Sequence, residues 1–477
     1  MSKSSYKYLA KNTILFSISS FGSKVLSFIL VPLYTSILST ADYGVVDLIG
    51  TAANLLIFAV TICISDGVLR FAIESAEKRR GVFRFGLHVT FIGTTFTGVV
   101  LLVISYFNPF GWERYYYLFL YLTVLTNSLN QLISYYLQAI DKVTSVTVMG
   151  LLLTICTIIS NLILLLVIKC GVVGYLISAV IGSVVSSTYG LFSIYRNDCD
   201  CLHQICDGKT KRAIIAYSVP LVFNGIAWWI NTSSDRFFII FYCGYAANGL
   251  YAVASKIPTI LNMFNSIFGQ AWNLSAIQEF DSEDRDGFFR NTYEMYNLLL
   301  MGGCSILILL NIPLARMLFS KDFFWAWRYS SLLLIASAFS ALSGFFSSIF
   351  VAVKKTKLPA ISTIVSAFLN ILLNWLLVPQ FGVLGAAVAT VGAFFIVWLT
   401  RYIMSLKYLK MRICIVKDLI VYALICMQAV VGYLDGHGYV LQILIILTIA
   451  LLYYKQLKRV SVMAASYVKK VGGRKQG

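Results

Sequence analysis

The fold is decided by residues 144–168, TSVTVMGLLLTICTIISNLILLLVI, a stretch without Asp, Glu, Lys or Arg. Lys169 ends it, and a second uncharged stretch, VVGYLISAVIGSVVSSTYGLFSIY, follows at 172–195. A helix rises about 1.5 Å per residue, so roughly 20 apolar residues cross the hydrocarbon core of a bilayer. Each stretch therefore predicts one membrane-spanning helix.

Twelve further apolar runs of similar length fill most of the remaining chain. Backbone groups in lipid need hydrogen-bond partners within their own segment, and runs of this length satisfy them as helices rather than as barrel strands. The sequence therefore predicts an all-α polytopic membrane protein with about 14 transmembrane helices. The twelve runs cover approximately 12–38, 44–72, 83–106, 115–140, 214–242, 245–273, 289–315, 329–353, 357–379, 382–406, 413–433 and 438–457.

The overall composition agrees with lipid as the solvent. Of 477 residues 59% are hydrophobic and 12% are charged, which is too apolar for one water-soluble core. The net charge of +18 does not indicate a nucleic-acid partner, because the basic residues lie between the apolar runs. Three lysines precede a first run that is too long for a signal peptide, so we expect an uncleaved first helix.

The basic residues also predict the orientation of the helices. With the N-terminus in the cytoplasm, 29 of the 38 Lys and Arg residues fall in cytoplasmic segments, five fall outside, and four lie within spans. This asymmetry follows the positive-inside rule. An even number of spans then places both termini in the cytoplasm.

Short matches between the two halves predict an internal repeat. Residues 139–142 resemble 352–355, and 171–174 resemble 382–385, while Tyr43-Gly44 is matched more weakly by Asn248-Gly249. A repeat of six helices gives two parallel lobes around a central cavity, followed by two extra helices. The predicted domains are an N-terminal lobe at 1–205, a C-terminal lobe at 206–408, and helices 13 and 14 with a basic tail at 409–477.

Ionisable residues within the spans are the main candidates for function. Each costs at least about 2.5 kcal/mol at mid-helix unless it is paired or faces water. Six such residues sum to +2 and lie in the first two spans of each half, which favours a cavity that binds a multivalent anion such as pyrophosphate. They are Lys24, Asp66, Arg70, Asp235, Arg236 and Lys256.

Ordinary structural roles are the alternative for these residues. Asp66 and Arg70 are four residues apart and would neutralise each other on one helix face. Arg236 would extend its side chain to the interface, and Lys24 would meet either a water-filled cavity or an acidic partner. Lys256 precedes Pro258, so a local helix break is expected beside it.

Spans seven and eight contain many amide and indole side chains. Amides beside aromatic faces suit a wall that contacts a glycan, whereas interhelical hydrogen bonding by Asn and interface anchoring by Trp are the alternatives. The candidate glycan contacts are Asn224, Asn231, Asn262, Trp228 and Trp272, within a group that also contains Asn265, Gln270 and Asn273.

We do not expect this chain to bind a metal or a nucleotide or to carry out covalent chemistry. Cys199, Cys201, His203 and Cys206 are too close together for a tetrahedral zinc cage. The segment Gly208-Lys209-Thr210 lacks the first glycine of a phosphate loop, because His203 occupies that position. We therefore predict no metal, no cofactor and no enzymatic activity.

Several motifs near the N-terminus resemble those of a known family. They are Pro32-Leu33-Tyr34, Leu38-Ser39, Asp42-Tyr43-Gly44, Asp47, Ser65-Asp66-Gly67 and Arg70-Phe71. The chain resembles bacterial polysaccharide-repeat-unit flippases, the Wzx-type O-antigen transporters of the multidrug/oligosaccharidyl-lipid/polysaccharide (MOP) exporter superfamily. The similarity extends through 382–387.

The resemblance implies a function in O-antigen and lipopolysaccharide biosynthesis at the bacterial inner membrane. It implies alternating access that moves an undecaprenyl-pyrophosphate-linked oligosaccharide from the cytoplasmic to the periplasmic leaflet. On this hypothesis Lys24, Arg70, Arg236 and Lys256 hold the pyrophosphate. Asp66 or Asp235 is the candidate carrier of a coupling ion, and a polymerase and a chain-length regulator of the pathway are candidate partners.

Two other functions are compatible with the sequence pattern. A multidrug or small-solute exporter of the same superfamily would share the scaffold, but its site is expected to be net acidic. A polysaccharide polymerase or ligase is also a many-helix protein. Such an enzyme is expected to carry a large outer loop, whereas the longest outer segment here runs only from about Arg316 to Arg328.

Overall fold

A computed structural model describes residues 28–75, 77–109, 111–197, 204, 206–355, 357–411, 413–435 and 438–458. Within these ranges every regular element is helical and no strand occurs. The prediction of an all-α polytopic membrane protein is thereby confirmed.

Ten helices form the first part of the described chain. They are α1 (Val31–Ile37), α2 (Thr40–Thr61), α3 (Ile64–Glu74), α4 (Arg79–Phe107), α5 (Arg114–Ala139), α6 (Val143–Asn161), α7 (Gly171–Asn197), α8 (Gly208–Ser233), α9 (Asp235–Cys243) and α10 (Tyr245–Ala254). A π-helical turn, Leu162–Val167, extends α6.

Eight helices follow after the short break at residues 255–257. They are α11 (Pro258–Gln278), α12 (Phe288–Leu309), α13 (Asn311–Leu318), α14 (Trp327–Ala352), α15 (Lys357–Phe381), α16 (Val383–Ser405), α17 (Ile415–Asp435) and α18 (Tyr439–Leu452). A 3-10 turn, Lys321–Ala326, precedes α14.

Ten helical stretches among the described residues are long and apolar enough to cross a membrane. The count of fourteen spans and the side of the termini stay predictions. Helices α5 and α11 are 26 and 21 residues long but are not among the ten. Their sequences contain many amide, hydroxyl and tyrosine side chains, which lowers their hydropathy, and both helices line the polar cavities described below.

The packing divides the chain into two compact units. The first comprises residues up to Ala252 together with Ser320–Phe323, and the second comprises Val253–Phe319 and the residues after Phe323. Helices α8 and α9 therefore pack with the first unit. The predicted domain boundaries at 205 and 408 describe the sequence repeat and stay a prediction.

The core of the first unit is built where α3, α4 and α5 meet. Phe83 and Tyr136 are fully buried and stack with their ring centroids 4.3 Å apart. Val68 and Leu132 are also fully buried in this cluster. The face of α3 that follows the Ser65-Asp66-Gly67 motif is therefore fixed by apolar packing.

A close crossing of two helices in the first unit explains the weak Tyr43-Gly44 and Asn248-Gly249 repeat. A Cβ atom on Gly44 would lie 1.9 Å from the Tyr245 carbonyl oxygen, and one on Gly249 would lie 1.9 Å from that of Thr40. Asn248 donates a 2.8 Å hydrogen bond to the Gly44 carbonyl. The two motifs thus contact each other, as small residues do at close helix interfaces in membranes.

Replacing Gly44 with Ala is expected to destabilise the protein by about 2 kcal/mol, because the carbonyl in contact is backbone and cannot rotate away. Gly50→Ala on the same helix is the matched control, since nothing lies within 4 Å of a Cβ atom there. Thermal unfolding of the purified protein measures both. Equal melting temperatures for the two variants would contradict the close crossing.

The second predicted span, 44–72, is interrupted rather than continuous. Helix α2 ends at Thr61, and Ile62 and Cys63 both have left-handed backbone angles, with φ of 53° and 51°. A β-branched residue in this conformation is strained by about 1–2 kcal/mol. The break reorients the chain before α3, which carries Asp66 and Arg70.

The second unit is built around α14. This helix packs against α11, α12 and α16, and its Phe345, Phe346 and Phe350 side chains are fully buried. Aromatic residues alternate with small Ser, Ala and Gly residues along its length. Neighbouring helices can therefore approach α14 closely on several sides.

Of helices α17 and α18, whose role the sequence leaves open, α17 is attached to α12 by buried polar contacts. The Gln428 side chain accepts from the Ser305 hydroxyl at 2.5 Å and donates to the Ser305 carbonyl at 3.0 Å. Tyr422 donates to Asn297 at 3.3 Å, nearer the start of α12. These pairs attach α17 to α12 at two depths, and α18 packs against both helices.

Candidate functional site

Lys256 lies in the break between α10 and α11, near the start of the second unit. Its amide donates to the Val253 carbonyl at 2.9 Å, and helix geometry resumes at Pro258. The break that Pro258 predicted is therefore present. Within the described ranges no carboxylate lies within ion-pair distance of this half-buried lysine.

Arg236, at the start of α9, is held in an ion pair. Its Nε lies 2.5 Å from a carboxylate oxygen of Asp47 on α2, and its Nη1 donates to the Thr232 carbonyl at 3.2 Å. The two charged side chains are only 13% and 17% exposed. The alternative in which Arg236 extends its side chain to the interface is therefore wrong.

Asp47 changes the charge count made from the sequence. It lies within the second predicted span, and its inclusion lowers the in-span sum from +2 to +1. The adjacent candidate Asp235 is almost fully buried and accepts a hydrogen bond of 2.5 Å from the Tyr251 hydroxyl. Tyr251 contacts both neighbours, since the Arg236 guanidinium also lies 5.8 Å from the centre of its ring.

Arg70 and Asp66 do not pair with each other. Arg70 is exposed on α3, and its Nε lies 3.3 Å from Glu74, one turn further along the helix. The guanidinium also lies 4.8 Å from the centre of the Tyr217 ring. Asp66 is half-buried beside a close contact of α3 with α8, where Gly67 faces Ser218. The expected mutual neutralisation of Asp66 and Arg70 is therefore wrong.

Lys24 lies outside the described residues, and its position stays a prediction. The cysteine and histidine cluster also falls there, except for Cys206, which is buried as a free thiol. Within the described parts of the chain no group of three or more potential metal ligands occurs.

The structure adds buried charged residues that the sequence pattern did not single out. Arg401 on α16 is 5% exposed and donates to Ser362, Thr363 and backbone carbonyls, with no carboxylate partner in the described chain. Glu294 on α12 accepts from Arg290 and from Gln456. Both lie near span ends, so only the packing reveals that they are buried.

The candidate glycan contacts divide into exposed and buried side chains. Asn224, Trp228 and Asn262 are exposed. Asn231 is buried and donates to the Ala227 carbonyl in its own helix at 3.1 Å. Trp272 is 3% exposed and donates to the Phe345 carbonyl at 3.0 Å, so it forms part of a packed wall.

A polar cavity of about 380 Å³ lies within the second unit, between α11, α12 and α14. Its volume falls in the lower range of small-molecule sites. Six amide or serine side chains and four aromatic rings dominate its lining, and none of the described lining residues is Asp, Glu, Lys or Arg. The residues concerned are Asn265, Ser266, Gln270, Asn273, Ser347, Ser348, Phe268, Trp272, Tyr296 and Phe345.

A second amide-rich cavity of about 330 Å³ lies within the first unit, between α2 and α5. Asn54, Asn127, Asn130 and Gln131 line it, together with Phe58. A third cavity in the same unit is about 540 Å³ and is lined almost entirely by apolar and aromatic side chains of α2, α4, α5 and α9. Polar and apolar side chains therefore line different cavities of the protein.

Comparisons with known proteins agree with the observed fold. A family model described as "Polysaccharide biosynthesis protein" matches residues 9–273, more than half of the chain. No curated protein sequence matches the chain significantly.

Solved structures of membrane transporters are similar over nearly the whole chain. The lipid II flippase MurJ in an inward closed conformation has a TM-score of 0.69 and 17% identity, covering 94% of this chain and 100% of MurJ. An inward-facing multidrug resistance MATE family transporter of the MOP superfamily has a TM-score of 0.66 and 12% identity, covering 81% and 95%. At these identities the similarity establishes the fold.

Proposed function

Because the chain belongs to the polysaccharide biosynthesis protein family, we propose that it is a flippase for a lipid-linked oligosaccharide. Its substrate is an undecaprenyl-pyrophosphate-linked repeat unit, which it moves from the cytoplasmic to the periplasmic leaflet by alternating access. The fold of a lipid II flippase, which it shares over 94% of its length, supports this proposal. The expected absence of enzymatic activity is part of it.

Lys256 is the observation that carries the proposal. A cation without a carboxylate partner is costly at membrane depth and marks a functional position by default. In the break the Lys256 backbone is held by turn hydrogen bonds, because its amide donates to the Val253 carbonyl and its carbonyl accepts from the Thr259 amide. A pyrophosphate supplies the missing counter-charge when the substrate is bound.

The other basic candidates contribute to this proposal in different ways. Arg70 is exposed, and with the described residues its guanidinium makes one ion pair, to Glu74, so its other N–H groups can contact a phosphate directly. Arg236 is already neutralised by Asp47, and it contributes by exchanging that partner for the substrate or by holding α9 in place. Lys24 completes the proposed pyrophosphate-binding set.

Coupling to an ion gradient would use a carboxylate within the membrane. Asp235 is the first candidate, since it is almost fully buried and accepts a hydrogen bond from the Tyr251 hydroxyl, a neutral group. Asp66 is the second candidate, half-buried beside the strained break at Ile62. Protonation or Na⁺ binding at either site would remove an unfavourable buried charge.

The proposed location is the bacterial inner membrane, with the polymerase and the chain-length regulator of the same pathway as partners. The test is a strain that lacks this protein and is complemented by the intact chain. Without it, the lipid-linked unit should accumulate on the cytoplasmic leaflet, inaccessible to a glycosidase added to spheroplasts, and surface polysaccharide should disappear.

Two results would replace this proposal with another function. Accumulation of single repeat units on the outer surface would indicate a polymerase or ligase. Normal surface polysaccharide together with sensitivity to cationic drugs would indicate a multidrug exporter.

A further inference from the structure

The cavity between α11, α12 and α14 has oriented hydrogen-bond donors. The Asn265 carbonyl oxygen accepts from the Tyr296 hydroxyl at 2.5 Å, and the Asn273 oxygen accepts from the Ser348 hydroxyl. Among the residues that the structure describes, neither amide nitrogen has a hydrogen-bond partner. Since both side chains line the cavity, their NH₂ groups are available to a ligand.

The aromatic residues of the same cavity form a nearly parallel stack. Phe268 and Tyr296 stack at 3.9 Å with an angle of 12° between their planes, and Trp272 and Phe345 stack at 4.2 Å with an angle of 10°. Phe268 and Trp272 differ by only 14°. The stacked rings cover one another's faces, and Trp272, Tyr296 and Phe345 are only 1–3% exposed, so they form a packed apolar wall beside the amide donors.

This combination of groups selects for a neutral ligand with many hydroxyls. Sugar rings present hydroxyl oxygens at their rim and an apolar C–H face, which match amide donors and an aromatic wall respectively. Among the residues that the structure describes, the lining contains neither a cation for a pyrophosphate nor an anion for a cationic drug. The charge of the substrate is therefore recognised elsewhere.

The same chemistry recurs in the first unit. There the Asn127 carbonyl oxygen accepts from the Ser183 hydroxyl at 2.9 Å, again through a serine that orients the amide. This cavity lies between α2 and α5, in the second and fourth spans, while the other involves the eighth, ninth and tenth spans. Spans two and eight correspond in the predicted repeat, as do spans four and ten.

We propose that the cavity between α11, α12 and α14 binds one sugar residue of the transported glycan, with Asn265 and Asn273 as hydrogen-bond donors. The inference rests on the proposed function, because it assumes a glycan as cargo. It adds that cavity residues of the second unit determine part of the specificity for the sugar. These residues differ from the charged residues that are proposed to bind the pyrophosphate.

Binding of methyl glycosides to the purified full-length protein tests the proposal directly. The probes are the methyl glycosides of glucose, galactose, mannose and N-acetylglucosamine, measured by saturation-transfer NMR. At least one should bind saturably to the wild type. Asn273→Asp keeps the oxygen that Ser348 contacts and removes the donor, so binding should weaken about tenfold.

Gln278→Glu is the matched control, because Gln278 is exposed on the same helix and does not line the cavity. It should bind the glycosides as the wild type does. Absence of saturable binding to the wild type, or wild-type affinity in Asn273→Asp, would overturn the proposal.

Export in cells separates this inference from the proposed function. If loss of the protein abolishes translocation and Asn273→Asp reduces it about tenfold, both are supported. If loss of the protein abolishes translocation but Asn273→Asp exports normally at equal protein level, the sugar site is wrong and the flippase stands. If loss of the protein leaves translocation intact, the proposed function fails and the sugar-site inference fails with it.

Discussion

Lys256→Gln is expected to reduce translocation of the lipid-linked oligosaccharide about 100-fold while the amount of folded protein stays unchanged. Lys256 makes no ion pair with the described residues, so its removal leaves no carboxylate unpaired. A charge–phosphate contact in a partly desolvated site is strong, and a 100-fold loss corresponds to about 2.7 kcal/mol. Translocation in spheroplasts and the melting temperature of the purified protein are the two measurements.

Lys256→Arg keeps the charge and should retain most of the activity. Lys407→Gln is the matched control, since Lys407 is an exposed lysine of the same unit beyond the end of α16. Full translocation by Lys256→Gln would show that Lys256 does not bind the pyrophosphate. Loss of the folded protein in this variant would instead assign Lys256 a structural role.

Asp47→Asn is expected to destabilise the protein by about 3 kcal/mol, because it leaves the Arg236 guanidinium without its counter-charge. The two side chains are mostly buried and lie on helices far apart in sequence, so water cannot easily replace the lost partner. The melting temperature and the yield of monodisperse purified protein should both fall. An unchanged melting temperature would show that the ion pair contributes little.

The double variant Asp47→Asn/Arg236→Gln separates stability from transport. It removes both charges, so most of the stability should return, as for other buried pairs replaced together. Translocation by this folded variant then reports on Arg236 alone. Normal translocation would limit Arg236 to a structural role, whereas a strong loss would support its proposed contact with the pyrophosphate.

The contrast between Lys256 and Arg236 shows what could be predicted from the sequence. Both were found as basic residues within apolar runs, and Pro258 correctly predicted the break beside Lys256. The partner of Arg236 was not predicted, because Asp47 is 189 residues away and lies near the end of a span. Arg401 was missed because it also lies near a span end, although it is buried among polar groups.

The glycan candidates show the same division. Amide and indole residues on spans seven and eight were recognised as a group from composition. Their separation into exposed Asn262, buried Trp272 and the cavity-lining Asn265 and Asn273 depends on which face of α11 meets α12 and α14. A helical period specifies a face but not the neighbour that covers it.

The sequence by itself determined that this chain is an all-helical membrane protein, because the length and hydropathy of a run are local properties set by the thickness of a bilayer. It also identified the positions at which a buried charge would be costly. The tertiary structure alone decided which charges are compensated, which glycines permit the crossing of α2 with α10, and which amides share a cavity. These properties depend on contacts between residues far apart in the chain, and a local pattern carries no information about them.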